Sequence, residues 1–99
     1  MLLAPGLALA APPDGRQIAL HGNSDGALPC AACHGANGAG NTSIGAPALA
    51  GLPAGVIEDS LAQFAQGKGG NALMQSIARA LNPDETKAVA EYFSNLPKP

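Results

Sequence analysis

The chain reads as one small all-α domain with long loops. Ninety-nine residues leave room for a single core. Apolar residues recur at intervals of three and four in several segments, while no stretch of strand length alternates apolar with polar side chains. There is no internal repeat.

Residues 1–13 carry no charge and include the small-x-small triplet Ala8-Leu9-Ala10, as the apolar part and cleavage site of a secretory signal would. They are expected to be a signal remnant outside the fold, leaving the domain at 14–99. A plain apolar terminus is the alternative, because a basic first segment is missing and Pro5-Gly6 interrupt the run. A membrane span needs about 20 apolar residues, and Pro12-Pro13-Asp14 end this one too early.

Asp14 to His21 reads as a short helix, with Gly15 and Ala19 four apart so that another helix can approach closely. From Gly22 to Gly55 the chain is Gly- and Pro-punctuated loop with one apolar cluster, Ala48 to Leu52, and it is free of Asp, Glu, Lys and Arg between Gly26 and Ile57. So long a loop belongs in a compact domain only if it is functional or wraps something. Val56 to Gln66 carries Val56, Ile57, Leu61 and Phe64 near helical spacing, with Gly67 as the stop. After the turn Lys68 to Asn71, a short amphipathic helix presents Leu73, Met74, Ile77, Ala78 and Leu81. The last helix has the clearest start: Asn82 as N-cap, Pro83 at its first position, Glu85 in the capping-box place, then Val89, Phe93 and Leu96 on one face.

Such a domain is short of interior. Its aromatic residues are Phe64, Tyr92 and Phe93, its apolar fraction is mostly Ala and Leu, and 13 Gly and 9 Pro dilute the rest. Small side chains bury little area per ordered residue, so a group that is not protein is expected to complete the core. The net charge of −2, with no cluster of Lys or Arg, excludes a nucleic-acid footprint.

The two cysteines and one of the two histidines stand together as Cys30-Ala31-Ala32-Cys33-His34. This spacing is the c-type haem attachment signal, in which each thiol adds to one vinyl group and the next residue lies beneath the iron as an imidazole ligand. Three other readings compete. A structural zinc site wants four ligands and would have to recruit the distant His21. A thioredoxin-like dithiol needs a βαβ context. A disulfide between residues three apart closes a trivial loop and leaves His34 without a role.

These residues carry a resemblance. The sequences CAACHGANGAG at 30–40, APALAGL at 46–52, FAQGKGGNALMQSIARAL at 64–81 and VAEYFSNL at 89–96 are similar to the class I monohaem c-type cytochromes, especially the small bacterial c4 and c5 types. The likeness implies a cytochrome c fold of three main helices with shorter helices and long loops around one covalent haem c. It implies crossed terminal helices, with Gly15 and Ala19 receiving the Tyr92 ring. It also implies that the Pro47 carbonyl accepts a hydrogen bond from His34, as an iron-bound imidazole needs; otherwise Pro47 is a plain turn residue.

The family's distal ligand is a downstream methionine, and Met1 lies in the segment expected to be removed, which leaves Met74. Met74 is otherwise a core residue beside Ile77 and Leu81. His21 is the rival ligand, and Lys68 and Arg79 are the candidate cations for the haem propionates. His34 and Met74 together would leave no open coordination position, so the implied function is one-electron transfer and not catalysis, in a periplasmic or membrane-associated bacterial chain with redox proteins as donor and acceptor. The alternatives are a haem subunit or domain of a larger dehydrogenase or oxidase, and a gas- or peroxide-binding protein with a labile sixth ligand. The charge-free run beside the motif further predicts an uncharged docking face and weak salt dependence of partner recognition.

Overall fold

The computed structural model describes residues 12–99, so all but Pro12 and Pro13 of the expected signal remnant lies outside the described residues. Five helices follow in order: α1 (Gly15–His21), α2 (Ala31–His34), α3 (Ala54–Ala65), α4 (Ala72–Arg79) and α5 (Pro83–Ser94). A single 3₁₀ turn, Thr42–Ile44, interrupts the loop between α2 and α3. Among the described residues there is no strand, only an isolated bridge between Asn41 and Ala46.

Three of the five helices, α1, α4 and α5, begin where a side chain satisfies free backbone N–H groups. Asp14 accepts from Arg16 and Gln17 N–H at 3.0 and 3.2 Å. Asn71 accepts from Met74 N–H at 2.8 Å, and Asn82 and Glu85 form a reciprocal capping box on α5. Besides the 3₁₀ turn, two α-helices enter the expected loop from Gly22 to Gly55. α2 is a single turn too short to show periodicity, and α3 starts at Ala54, behind Pro53, because a proline pre-sets the backbone for a helix start without needing an N–H partner.

α1 packs against α5, and α3 packs against both α4 and α5. The core holds Ile18 and Ala19 of α1, Ile57 and Leu61 of α3, Ile77 and Ala78 of α4, and Val89, Ala90 and Phe93 of α5. Gly15 is the closest point of the α1–α5 crossing: a Cβ there would lie 2.1 Å from the Ala88 carbonyl oxygen and 3.1 Å from the Cβ of Tyr92. Gly15 thus admits both the α5 backbone at Ala88 and the base of the Tyr92 side chain. The ring stands edge-on to Phe93 at 5.1 Å, and its hydroxyl donates to the Ala36 carbonyl at 3.2 Å.

The loops are fixed by their own polar groups. Asn23 donates to the Ala80 carbonyl at 2.7 Å and to Glu85 at 3.1 Å, while its oxygen accepts from Ala27 and Asp25 N–H. One amide therefore ties the segment leading to Cys30 onto the α4–α5 junction. Further along, the Gly38 carbonyl accepts from Leu49 and Ala50 N–H at 2.8 and 3.0 Å, and Gly51 N–H donates to Phe93 in α5 at 3.0 Å.

Candidate functional site

The cysteine-histidine motif folds as one helical turn, with the His34 N–H donating to the Cys30 carbonyl at 2.9 Å. Positions 30, 33 and 34 then share one face of that turn, which is what the spacing of three and four dictates. All three line a cavity of about 710 Å³ whose walls come from α2, α3, α4, α5 and the loop through Pro47. That volume lies within the range of about 300–1,000 Å³ typical of cofactor sites.

No Asp, Glu, Lys or Arg lines this cavity; its polar side chains are His34, Ser60 and Asn71 beside the two thiols. Burial pushes the Cys30 thiol up from its ordinary range, partly offset by a backbone hydrogen bond. Among the described residues no three His, Cys, Asp or Glu side chains gather into a metal-holding group, and both cysteines are free. The zinc and disulfide alternatives have no geometry behind them, and without a strand the thioredoxin-like context is missing among the described residues.

His34 is buried, with 7 % of its surface exposed. Its Nδ1 stands 2.8 Å from the Pro47 carbonyl oxygen, which can only accept, so Nδ1 carries the proton and Nε2 keeps its lone pair. The loop reaches this position through Gly40, whose N–H donates to the His34 carbonyl at 2.9 Å. Gly40 has φ +81°, and a Cβ there would lie 2.6 Å from Ala48 N and 2.7 Å from the Ala46 oxygen and the Pro47 carbon. Only glycine lets the strap carrying Pro47 lie so close to the turn carrying His34. Gly40 was not singled out in the sequence, where it is one of several glycines in a loop.

Met74 enters the same cavity from the first turn of α4. It is half-buried and also packs against the core cluster, beside the buried Ile77. Asn71 caps this turn, and the Arg79 Nε donates to the Ala65 carbonyl at 3.1 Å, tying α4 to the end of α3. That bond uses one of the five guanidinium N–H donors, and neither Arg79 nor Lys68 lines the cavity itself. His21 is exposed at the end of α1 and does not line it either.

The cavity fits a large flat apolar group held from one side by two thiols and an imidazole, with a thioether available from another helix. Residues 27–97 match the family model described as cytochrome c. A thiosulfate dehydrogenase electron acceptor from Thiomonas intermedia is 41 % identical over 93 residues, which is 94 % of this chain and 37 % of that protein. Cytochrome c-554(548) from Halomonas halodenitrificans is 39 % identical over 69 residues, covering 67 % of this chain and 82 % of that one. The solved cytochrome c4 of Acidithiobacillus ferrooxidans superposes with a TM-score of 0.77 at 35 % identity, over 83 % of this chain and 48 % of that chain. The chain thus spans well under half the length of the Thiomonas protein and about half that of the cytochrome c4. Motif, fold and likeness agree: the chain belongs to the cytochrome c family, of the c4-like kind, which carries covalent haem c.

Proposed function

We propose that Cys30 and Cys33 form the two thioether bonds, that His34 and Met74 are the axial ligands, and that the Pro47 carbonyl orients His34. One observation carries this reading: side chains from the α2 turn and from α4 line a single charge-free cavity, and the imidazole among them already has its outer nitrogen hydrogen-bonded. A haem with His and Met ligands supplies one-electron exchange between its ferric and ferrous states, with the thioether favouring ferrous. The chain's part is to keep both ligands in place in either state, to exclude charge and water from the apolar walls, and to leave an approach for a partner. Met74→Ala tests the assignment. The variant should keep the haem attached through Cys30 and Cys33 while losing the weak red-end band of the ferric spectrum and falling in potential. An unchanged spectrum removes Met74 from the site.

The electron donor we propose is a thiosulfate-oxidising enzyme, because the Thiomonas relative is named as the acceptor of a thiosulfate dehydrogenase. Export to the periplasm, with residues 1–13 as the signal and 14–99 as the domain, is supported by the apolar start of the chain. The described residues contain no helix long and apolar enough to cross a membrane. A second reading, in which this is a haem domain or subunit of a longer assembly, is favoured by the 37 % of the Thiomonas protein that the chain spans. Co-purification of a haem-bearing partner with the natural protein would establish it, and a single 10 kDa species would dismiss it.

A further inference from the structure

Of the six asparagines in the chain, Asn37 alone precedes a glycine; the others are followed by Ser24, Thr42, Ala72, Pro83 and Leu96. That pairing suits a reaction that needs nothing but water. The Gly38 amide nitrogen attacks Asn37 Cγ and forms a C–N bond, and the side-chain amine leaves as ammonia with the proton that the Gly38 nitrogen gives up. The resulting succinimide takes up water at either carbonyl and opens to aspartate or isoaspartate. A side chain on the following residue crowds the attack, and glycine leaves it open.

The fold holds this pair in a turn that opposes the attack. Gly38 N–H donates to the Gly35 carbonyl at 3.0 Å, so the nitrogen that must attack is engaged. Asn37 is exposed to water, but its Oδ1 accepts from Ala39 N–H at 3.1 Å, which fixes the side chain. Gly38 is buried, and a Cβ on it would lie 3.0 Å from the Phe93 ring and 3.1 Å from Ala50 N. From the far side of the turn, the Tyr92 hydroxyl donates to the Ala36 carbonyl at 3.2 Å. Ring closure swings the Asn37 side chain onto the Gly38 nitrogen, so the turn must open first. The folded-state rate is then the open fraction times the rate of the free chain. The product has a consequence too. Isoaspartate lengthens the main chain just before Gly38, whose carbonyl accepts from Leu49 and Ala50 N–H and so ties the strap carrying Pro47 to the turn carrying His34.

We propose that Asn37 is a site of spontaneous deamidation, which this turn holds off while folded and releases when it opens. The test incubates the purified holoprotein, folded and unfolded in guanidinium chloride, in mildly alkaline buffer. Mass spectrometry locates the conversion of asparagine to the aspartate mass, and enzymatic isoaspartyl methylation counts the isoaspartate. The unfolded chain should convert at Asn37 about tenfold or more faster than the folded one. Tyr92→Phe removes the bond to Ala36 and should raise the folded-state rate by about threefold. Asn37→Ser keeps an oxygen for the Ala39 N–H but cannot form the ring, and should abolish the rapid conversion of the unfolded chain. After refolding, chains with isoaspartate at 37 should melt at a lower Tm than Asn37→Asp, which carries the same charge on a main chain of ordinary length. Equal rates in the folded and unfolded protein, or conversion that persists in Asn37→Ser, overturn the proposal. A Tyr92→Phe rate equal to that of the wild type overturns the control by the turn, and equal Tm values overturn the tie to the strap.

Discussion

His34 has one tautomer open to it, because the Pro47 carbonyl cannot donate. That makes Gly40 the residue most exposed to test outside the motif. Gly40→Ala places a methyl group against Ala48 N, the Ala46 oxygen and the Pro47 carbon at a φ that side chains rarely adopt. The expected cost is about 1–3 kcal/mol of stability, seen as a lowered Tm, together with a shift in potential as the His34–Pro47 hydrogen bond loosens. An unchanged potential with a lowered Tm would leave Gly40 a structural glycine only. The motif itself was legible because covalent attachment dictates both residue type and spacing, whereas the duty of Gly40 depends on the strap Ala46 to Ala48 folding back on it. Asn71 is a similar case: in the sequence it ends a turn, and only the fold shows its oxygen on the Met74 N–H.

At the scale of the helix, the segments with helical periodicity or a start signal were readable and the one with neither was not. α5 announces itself through Asn82-Pro83-Asp84-Glu85, and the structure confirms the capping box, with Glu85 also accepting from Asn23. Because two segments share that carboxylate, Glu85→Ala should cost more than an isolated cap, about 1–2 kcal/mol, and should destabilise the loop from Gly22 to Ala27 as well as α5. Hydrogen exchange on the amide of Ala27 would show it. By contrast α2 has four residues and no side-chain cap, so neither periodicity nor a start signal marked it. Its apolar partners come from other helices across the cavity, which a local reading cannot see. Asn71→Ala should lower the Tm by removing the α4 cap, worth about 1 kcal/mol, and weaken the red-end ferric band by freeing the turn that carries Met74. A weakened cap with an undisturbed band would separate the two roles.

For the whole molecule, the thin composition and the large cavity are two views of one fact. The largest fully buried side chains are only Phe93 and Val89, and a cavity of about 710 Å³ stands among the helices where a protein core would otherwise lie. A chain of this size without its prosthetic group has too little apolar burial to hold its ordered residues. Replacing Cys30 and Cys33 together by Ala should therefore give a chain without cooperative helical unfolding by circular dichroism, and a stable helical product would show that the protein walls suffice. The overall class was legible from composition and helical periodicity. The close backbone crossing at Gly15 was legible only as a spacing, since which atoms meet there depends on the turn of α5 that faces it. The covalent haem of this domain is proposed to carry a histidine and a methionine on its iron. The visible spectrum of the purified holoprotein, oxidised and then reduced, tests it most directly. The account predicts a weak red-end band in the ferric protein, sharp low-spin ferrous bands that carbon monoxide leaves unaltered, and haem that stays with the chain on acid extraction. A ferrous spectrum that shifts fully with carbon monoxide, or haem released into the acid solvent, would contradict it.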